Sequence, residues 1–313
     1  MKLYSGIIIS LASIALAGCP ASKKSTEAVQ LKLNLQKQKT YTYSLKTHFD
    51  MDMQMMSQKV ETGLDMDYRY LLNLDNTDSA GNTVLKSTIG DVKMKAEVMG
   101  MSMGYDSQER VDTNHQDPMS ANFRKIFGGM LGKNFMVTLK PSGEIVHVAG
   151  LEDIVNGMAN NIAGDDQDKA GMKDKLNESL NQQQIRQAFG QIFNVYPDKP
   201  VKIGDSWKRE VALGIKGMNS KQVITYTVRD ITPEHVVLDL KGDIRSSSDD
   251  KLQADSANKV PVMNGSEVGV MTMDRVSGLA TEGLIDLTVK GEIDLQGKKT
   301  PVDIKGKIII GSK

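Results

Sequence analysis

Two neighbouring stretches of the chain alternate apolar and polar residues, and this alternation constrains the fold more than any other feature. Between positions 41 and 55 the odd-numbered residues are mostly apolar, and between 60 and 74 the even-numbered ones are. A period of two puts alternate side chains on opposite faces of a strand, so each stretch predicts a β-strand with one buried face. Pairing Met55 with Val60 and Phe49 with Met66 brings both apolar faces to one side. We therefore predict a long antiparallel hairpin.

Further strands are predicted along the rest of the chain. A third extended stretch runs over 83–105, and its apolar side changes parity near Gly90 and again near Gly100, which predicts a bulge or bend at each glycine. Alternation also predicts hairpins within 135–148, 224–244 and 285–310. A faint similarity between residues 84–92 and 237–244 leaves two interpretations open, namely two related β halves or a chance likeness between strands.

The middle of the chain changes to the helical period. Apolar residues recur every three or four positions from Leu151 to Ile162 and again from Met172 to Phe193, which predicts two helices. The predicted fold class is therefore α+β, with long, meandering, antiparallel sheets in two curved halves and a central two-helix insert. The predicted organisation is an N-terminal β half at 36–150, the helical insert at 151–196 and a C-terminal β half at 197–313.

Charge and cysteine content exclude several classes of protein. The 39 Lys and Arg residues balance 39 Asp and Glu residues, and Cys19 is the single cysteine. A neutral balance argues against a basic nucleic-acid binder, so no nucleic acid is expected as a partner. One cysteine excludes a disulfide scaffold and a cysteine-based metal cluster, and no cofactor is predicted.

The N-terminus carries the features of an export signal. Lys2 precedes an apolar run that ends in the sequence Leu16-Ala17-Gly18-Cys19. This ending resembles the lipobox of bacterial lipoproteins, and the resemblance implies acylation of Cys19 and cleavage before it. Residues 1–18 would then be a lipoprotein signal peptide and 19–35 a lipidated, flexible tether. The alternative is an ordinary signal peptide with a chance cysteine.

The residue after the lipidation site bears on location. Position 20 is Pro rather than Asp, so the inner-membrane retention signal of enterobacterial lipoproteins is absent. The expected partner is therefore a membrane, contacted through the acyl chains on Cys19. The expected location is the cell envelope, at the outer membrane and facing either the periplasm or the cell surface.

One segment resembles a known family. The sequence Tyr-Pro-Asp-Lys-Pro-Val-Lys-Ile-Gly-Asp-Ser-Trp at 196–207 is similar to a YPxKPVKxGDSW segment in an uncharacterised family of bacterial envelope lipoproteins. The resemblance covers most of the mature chain and implies an envelope protein, but that family has no assigned activity. The order of elements also resembles lipid-carrier lipoproteins, which implies a curved sheet around helices with an apolar cavity. This second likeness is an analogy at the level of the fold.

Methionine is the most distinctive candidate for a functional side chain. The chain has 19 Met against 6 Phe and 1 Trp. These thioethers could fill an aromatic-poor core, line a groove for an apolar ligand, or bind Cu(I) or Ag(I) together with His48. The parity of His48 argues against the metal, because it should point away from the neighbouring methionines. The candidate ligand-binding residues are Met51, Met53, Met55, Met66, Met99, Met101 and Met103.

No motif for catalysis occurs. The chain lacks G-x-S-x-G, H-E-x-x-H and G-x-G-x-x-G, and its phosphate-loop-like and calcium-loop-like stretches at 128–133 and 165–177 depart from the required spacing. We therefore predict a non-enzymatic, lipid-anchored envelope protein that holds a hydrophobic or lipid-like ligand in a Met-lined groove. The alternatives are a structural or assembly lipoprotein that binds another envelope protein, and a Cu(I)- or Ag(I)-binding protein.

Overall fold

The computed structural model describes residues 27–55, 58–109, 118–162, 165–215, 218–246, 262–295 and 298–313. Cys19 and the predicted signal peptide lie outside the described residues. The elements within these ranges are β1 (Thr40–Met55), β2 (Gln58–Thr77), β3 (Thr83–Val98), β4 (Met101–Asp106), α1 (Pro118–Gly128), β5 (Asn134–Leu139), β6 (Ile145–Ala149), α2 (Leu151–Asn160), α3 (Asp166–Ser179), α4 (Gln182–Phe193), β7 (Ser206–Ile215), β8 (Met218–Ile231), β9 (His235–Ser246), β10 (Val262–Asp274), β11 (Ala280–Leu295) and β12 (Lys298–Ser312).

All of these strands belong to one antiparallel sheet. Its order is β6-β5-β3-β2-β1-β12-β11-β10-β9-β8-β7, and β4 pairs with the second half of β3. The first and last strands meet at the centre, where Tyr43 pairs with Ser312 and Met53 with Val302. The hairpins predicted within 135–148, 224–244 and 285–310 are confirmed as β5–β6, β8–β9 and β11–β12.

The predicted α+β class is wrong. The described chain is mostly antiparallel sheet with small helices, and the two β regions form a single sheet because β1 pairs with β12. The predicted two-helix insert is also wrong, since its second helix is divided into α3 and α4. Asn181 causes this division, because its side chain accepts a hydrogen bond from the backbone N–H of Gln184 at 3.0 Å and so begins a new helix.

The predicted β1–β2 hairpin is confirmed, with a register shifted by two residues. Val60 pairs with Met53 rather than Met55, and Met66 pairs with Thr47 rather than Phe49. A shift of two leaves every side chain on its predicted face, so the alternation could not detect it. In the observed register the last pair of the hairpin is Met55 with Gln58.

The two glycines predicted to disturb the third strand have different roles. Gly90 is confirmed as a bulge, because the pairing with β2 passes from Asp91 directly to Ile89. The bend predicted at Gly100 is a tight turn between β3 and β4 instead. Met99 and Gly100 have φ values of 51° and 79°, the left-handed conformation that a type I′ hairpin turn requires at both positions.

The two faces of the sheet differ in polarity. On the outer face, ion pairs cross neighbouring strands, with Lys46 Nζ 2.8 Å from Asp67 and Lys290 Nζ 3.0 Å from Asp303. The inner face carries the core side chains of β1 and β2, including Tyr43 and Leu72, which are each 1% exposed. Helix α4 packs inside the curve of the sheet, in contact with the end strands β6 and β7.

Two side chains of the α4 region hold these end strands. Arg186 donates a hydrogen bond to the carbonyl of Val146 in β6, and the Asn194 amide donates to the carbonyl of Glu210 in β7 at 3.0 Å. Because one short helix reaches both ends of the sheet order, the sheet must bend around it. This bend leaves a partly open space between α4 and the central strands.

The segment before β1 packs against the body of the protein. Val29 and Val201 exchange two backbone hydrogen bonds of 2.9 Å, and Leu31 and Leu35 are buried. The last part of the stretch predicted as a tether, 27–35, is therefore in contact with the core. Within the part of the chain that the structure describes, no helix combines the length and the apolar character needed to cross a bilayer.

Candidate functional site

A cavity of about 330 Å³ lies between the inner face of the sheet and the helices. Leu45 of β1, Met66 of β2 and Ile308 of β12 form its floor. On the helix side, α4 and α2 contribute apolar side chains such as Ile185 and Leu151. The cavity therefore lies at the centre of the sheet, where β1 and β12 pair.

Local sequence patterns explain how each element reaches this cavity. Leu45, Thr47 and Phe49 alternate along β1, so all three side chains point to the inner face. On α4, the lining residues recur about once per turn, which puts them on one side of the helix; they are Gln184, Ile185, Ala188, Gln191 and Ile192.

An aromatic cluster packs at one end of the cavity. The ring of Phe189 on α4 lies 5.1 Å from Tyr70 and 5.4 Å from Phe135, measured between centroids. Both contacts are edge-to-face, a favourable arrangement for aromatic pairs. Burial raises the pKa of Tyr70 far above its ordinary value, so its hydroxyl stays neutral. This cluster fixes α4 to the sheet without introducing a charge.

The lining of the cavity is apolar with a few neutral polar groups. The lining residues that carry such groups are Thr47, Tyr68, Tyr70, Gln184 and Gln191. Among the described residues, no charged side chain lines the cavity. The buried Oγ1 of Thr47 has no hydrogen-bond partner within the described part of the chain. The arrangement can hold an apolar molecule and offer it neutral hydrogen-bonding groups.

The structure places one predicted methionine, Met66, at this cavity. Met51 and Met53 are half-buried further along β1, against the cluster of Ile244, Met263, Val289, Val302 and Ile304. Met99 and Met101 lie at the β3–β4 turn and are 66% and 64% exposed, and Met103 is half-buried on β4. Cys19 and the side chain of Met55 lie outside the described residues.

Sequence reasoning missed most of the lining. Met130 and the two glutamines of α4 line the cavity and were not singled out. The glutamines gave a usable signal, because they interrupt the apolar stripe of α4 on its buried side. Met130 gave none, since it follows α1 in a glycine-rich loop with no clear period.

A separate buried polar group lies on the inner face of β10. Glu267 is 4% exposed, and burial raises its pKa to about 7. A Cβ on Gly242 would lie 2.5 Å from the Glu267 Cγ, so the glycine leaves room for the carboxylate to lie across β9. Gln222 of β8 provides a hydrogen bond to it. Glu267 is not part of the cavity lining.

His48 occupies the opposite face from the methionines. Its Nδ1 lies 2.6 Å from an oxygen of Asp65, and its Nε2 lies 3.2 Å from Asp50. The hydrogen bond with Asp65 is the main cause of its raised pKa. Within the described ranges, no group of three or more His, Cys, Asp or Glu residues is arranged to hold a metal ion.

Comparisons with known proteins identify a family without an assigned activity. The model of a family of unknown function, DUF6263, matches residues 80–280, which include the segment 196–207. No curated protein matches the sequence.

Solved structures match with low scores. DynF from the dynemicin biosynthesis pathway of Micromonospora chersina is 8% identical over 96% of each chain, with a TM-score of 0.20. OccK7 (OpdD) of Pseudomonas aeruginosa is 7% identical over 88% of this chain and 99% of its own, with a TM-score of 0.19. The translocator domain of the autotransporter NalP of Neisseria meningitidis is 6% identical over 88% and 90%, with a TM-score of 0.21. Scores of this size carry no argument about fold or function.

Proposed function

The chain belongs to the DUF6263 family of unknown function, and we propose that it is a non-enzymatic, lipid-anchored envelope protein that binds an apolar or lipid-like ligand beneath α4. The observation that carries this proposal is the cavity of about 330 Å³ at the centre of the inner face. Protein interiors are close-packed and contain few voids larger than a water molecule. A partly open pocket of this size, lined mainly by apolar side chains, offers a site for an apolar ligand.

The volume also indicates the scale of the ligand. Pockets for small molecules span about 300–1,000 Å³, so this cavity is at the lower end of that range. An apolar cavity of about 150 Å³ stays dry and accepts benzene. The ligand is therefore larger than one aromatic ring and smaller than a lipid with two long chains.

The lipidation signal supplies the location in this proposal. Acyl chains on Cys19 would hold the protein at a bilayer, since each buried methylene contributes about 0.8 kcal/mol. A protein held there is close to a supply of acyl chains. Replacing Cys19 by Ala should abolish incorporation of radiolabelled palmitate and release the protein from the membrane fraction. Undiminished labelling of Cys19→Ala would contradict the anchor.

Binding can be tested by filling the cavity. Thr47→Phe places a ring in the cavity without breaking a hydrogen bond seen in the structure, whereas Thr288→Phe makes the same change at an exposed position of β11. We expect an uncharged fluorescent apolar probe to bind the chain from residue 19 onward, carrying Cys19→Ser. Thr47→Phe should weaken this binding at least tenfold and Thr288→Phe should leave it unchanged. Equal affinities for both variants would contradict the proposal.

A series of ligands with alkyl chains of increasing length makes the test more specific. Each methylene that enters the cavity should add about 0.8 kcal/mol, or about fourfold in affinity, until the cavity is full. Beyond that length the affinity should stop rising. If each further methylene keeps raising the affinity with no limit, the ligand binds on an open surface instead.

One observation favours a second function, binding of another envelope protein. Val268, Leu284 and Ile309 are 56%, 47% and 43% exposed on the outer face, where Leu284 pairs with Ile309. Such a strip fits the prediction of a structural or assembly lipoprotein. Crosslinking in membranes should capture one defined partner protein if this function is correct, and Leu284→Ser should abolish the crosslink.

A further inference from the structure

We propose that the cavity selects a single-chain amphiphile with an uncharged, hydrogen-bonding head group, such as a long-chain alcohol or a monoacylglycerol. This inference rests on the proposed function and specifies the class of ligand. It follows from three properties of the cavity, which are its charge, its amide groups and its size.

The first property is the lack of charge. The chain has 39 Lys and Arg residues, yet none of the described ones lines the cavity. Transferring an ionised carboxylate, phosphate or ammonium group into an apolar site without a paired charge is strongly unfavourable. A carboxylate or phosphate head group that entered the cavity would therefore lose hydration that the lining does not replace.

The second property is the pair of amides on α4. Gln184 and Gln191 are both half-buried and lie on the cavity side of the helix, seven residues or about 10 Å apart. Each amide offers two donors and an acceptor, so either can bind a hydroxyl or an ester carbonyl. Thr47, on the opposite wall, is likewise an uncharged residue.

The third property is size. The volume of about 330 Å³ is at the lower end of the range for small-molecule pockets, which favours a ligand with one chain over one with two. Together these properties favour a neutral single-chain ligand over a diacyl phospholipid. Selection would come mainly from the cost of burying a charged head group, and the glutamines would add hydrogen bonds to the neutral one.

A matched ten-carbon series tests the selectivity. Decanol, decanoate, decyl phosphate and decyltrimethylammonium would compete with the apolar probe at pH 8, below the concentrations at which they form micelles, on the chain from residue 19 onward carrying Cys19→Ser. We expect decanol to bind at least tenfold more tightly than each charged compound. Equal or tighter binding of any charged compound would overturn the inference and leave the proposed function intact. Failure of the whole series and of the probe would overturn both.

Variants of α4 test the role of the amides. The double variant Gln184→Leu/Gln191→Leu should bind decanol at least fivefold more weakly and decane no more weakly than the unsubstituted protein. Gln183→Leu is the control, because Gln183 is exposed on the same helix and does not line the cavity. Unchanged decanol affinity in the double variant, or an equal loss for decane, would overturn the assignment of the amides.

Discussion

The middle of the inner face and its methionine-rich end are both apolar, yet they differ in what covers them. In the middle, α4 lies over β1, β2 and β12, and an aromatic cluster fixes it there. Towards the ends of the strands, Met51 and Met53 pack against a small cluster of the same sheet, and Met99 and Met101 are exposed. An apolar surface thus becomes a pocket where a second layer covers it and leaves space between the two layers.

The largest effect should follow from removing the residue that fixes this cover. Phe189→Ala deletes a ring that contacts Tyr70 and Phe135, and such truncations in a core cost about 3–5 kcal/mol. Urea unfolding should show a loss of this size, together with loss of probe binding. The matched change Met101→Ala at the exposed end should stay within about 0.5 kcal/mol. Similar losses of stability for both variants would contradict the proposed difference between the covered middle of the inner face and its exposed end.

A smaller effect on stability, which depends on pH, is expected from the buried carboxylate of Glu267 on β10. Burial raises the pKa of Glu267 from 4.5 to about 7, so the folded state binds its proton more tightly than the unfolded state does. The stabilisation is fully present below pH 4.5 and is lost as pH rises through 7. Between these values the free energy of unfolding should fall by about 3 kcal/mol, at about 1.4 kcal/mol for each pKa unit.

A neutral replacement isolates this contribution. Glu267→Gln should remove that part of the pH dependence, and at pH 8 it should be more stable than the unsubstituted protein. Urea unfolding over pH 4.5–8 measures both effects. Glu282→Gln, at an exposed position on the neighbouring strand, is the control and should retain it. If Glu267→Gln keeps the full pH dependence, the carboxylate is not responsible for it.

Conservative changes at the methionine-rich end should have less effect. Met51→Leu and Met53→Leu conserve volume, and such exchanges usually cost less than about 1.5 kcal/mol. Because neither residue lines the cavity, probe affinity should be unchanged in both variants. Met66→Leu serves as the matched change inside the cavity and should alter that affinity. A loss of binding in Met51→Leu would extend the site towards the strand ends.

The smallest effect is expected at the β3–β4 turn. Met99 has φ of 51° and a side chain that is 66% exposed, so Met99→Asn suits the left-handed backbone and removes little buried surface. The free energy of unfolding, measured by thermal denaturation, should change by less than about 0.5 kcal/mol in either direction. A large loss of stability would show that the methionine makes contacts absent from the structure.

The strands were largely predictable from the sequence, whereas their assembly was not. The alternation in 41–55 gave the inner face of β1 correctly, and the parity change at Gly90 gave the bulge. The pairing of β1 with β12 joins the two ends of the chain, and no local pattern records it. The division of the second predicted helix depends on a single cap at Asn181, which a helical stripe does not reveal.

The site was less predictable because a cavity is the space between elements that are distant in sequence. Met66 was identified because it belongs to an apolar strand face, but Met51 and Met99 fit the same criterion and lie outside the cavity. What distinguishes them is the position of α4 over the sheet. That position depends on Arg186 reaching β6 and Asn194 reaching β7, which are tertiary contacts.

The most direct test of the cavity as a ligand site is a crystal structure with 10-bromodecanol, in which anomalous scattering locates the bromine. We predict a bromine peak between α4 and the strands β1, β2 and β12, with the hydroxyl near Gln184 or Gln191. A peak confined to the exposed β3–β4 turn, or a cavity filled only by ordered water, would contradict the account.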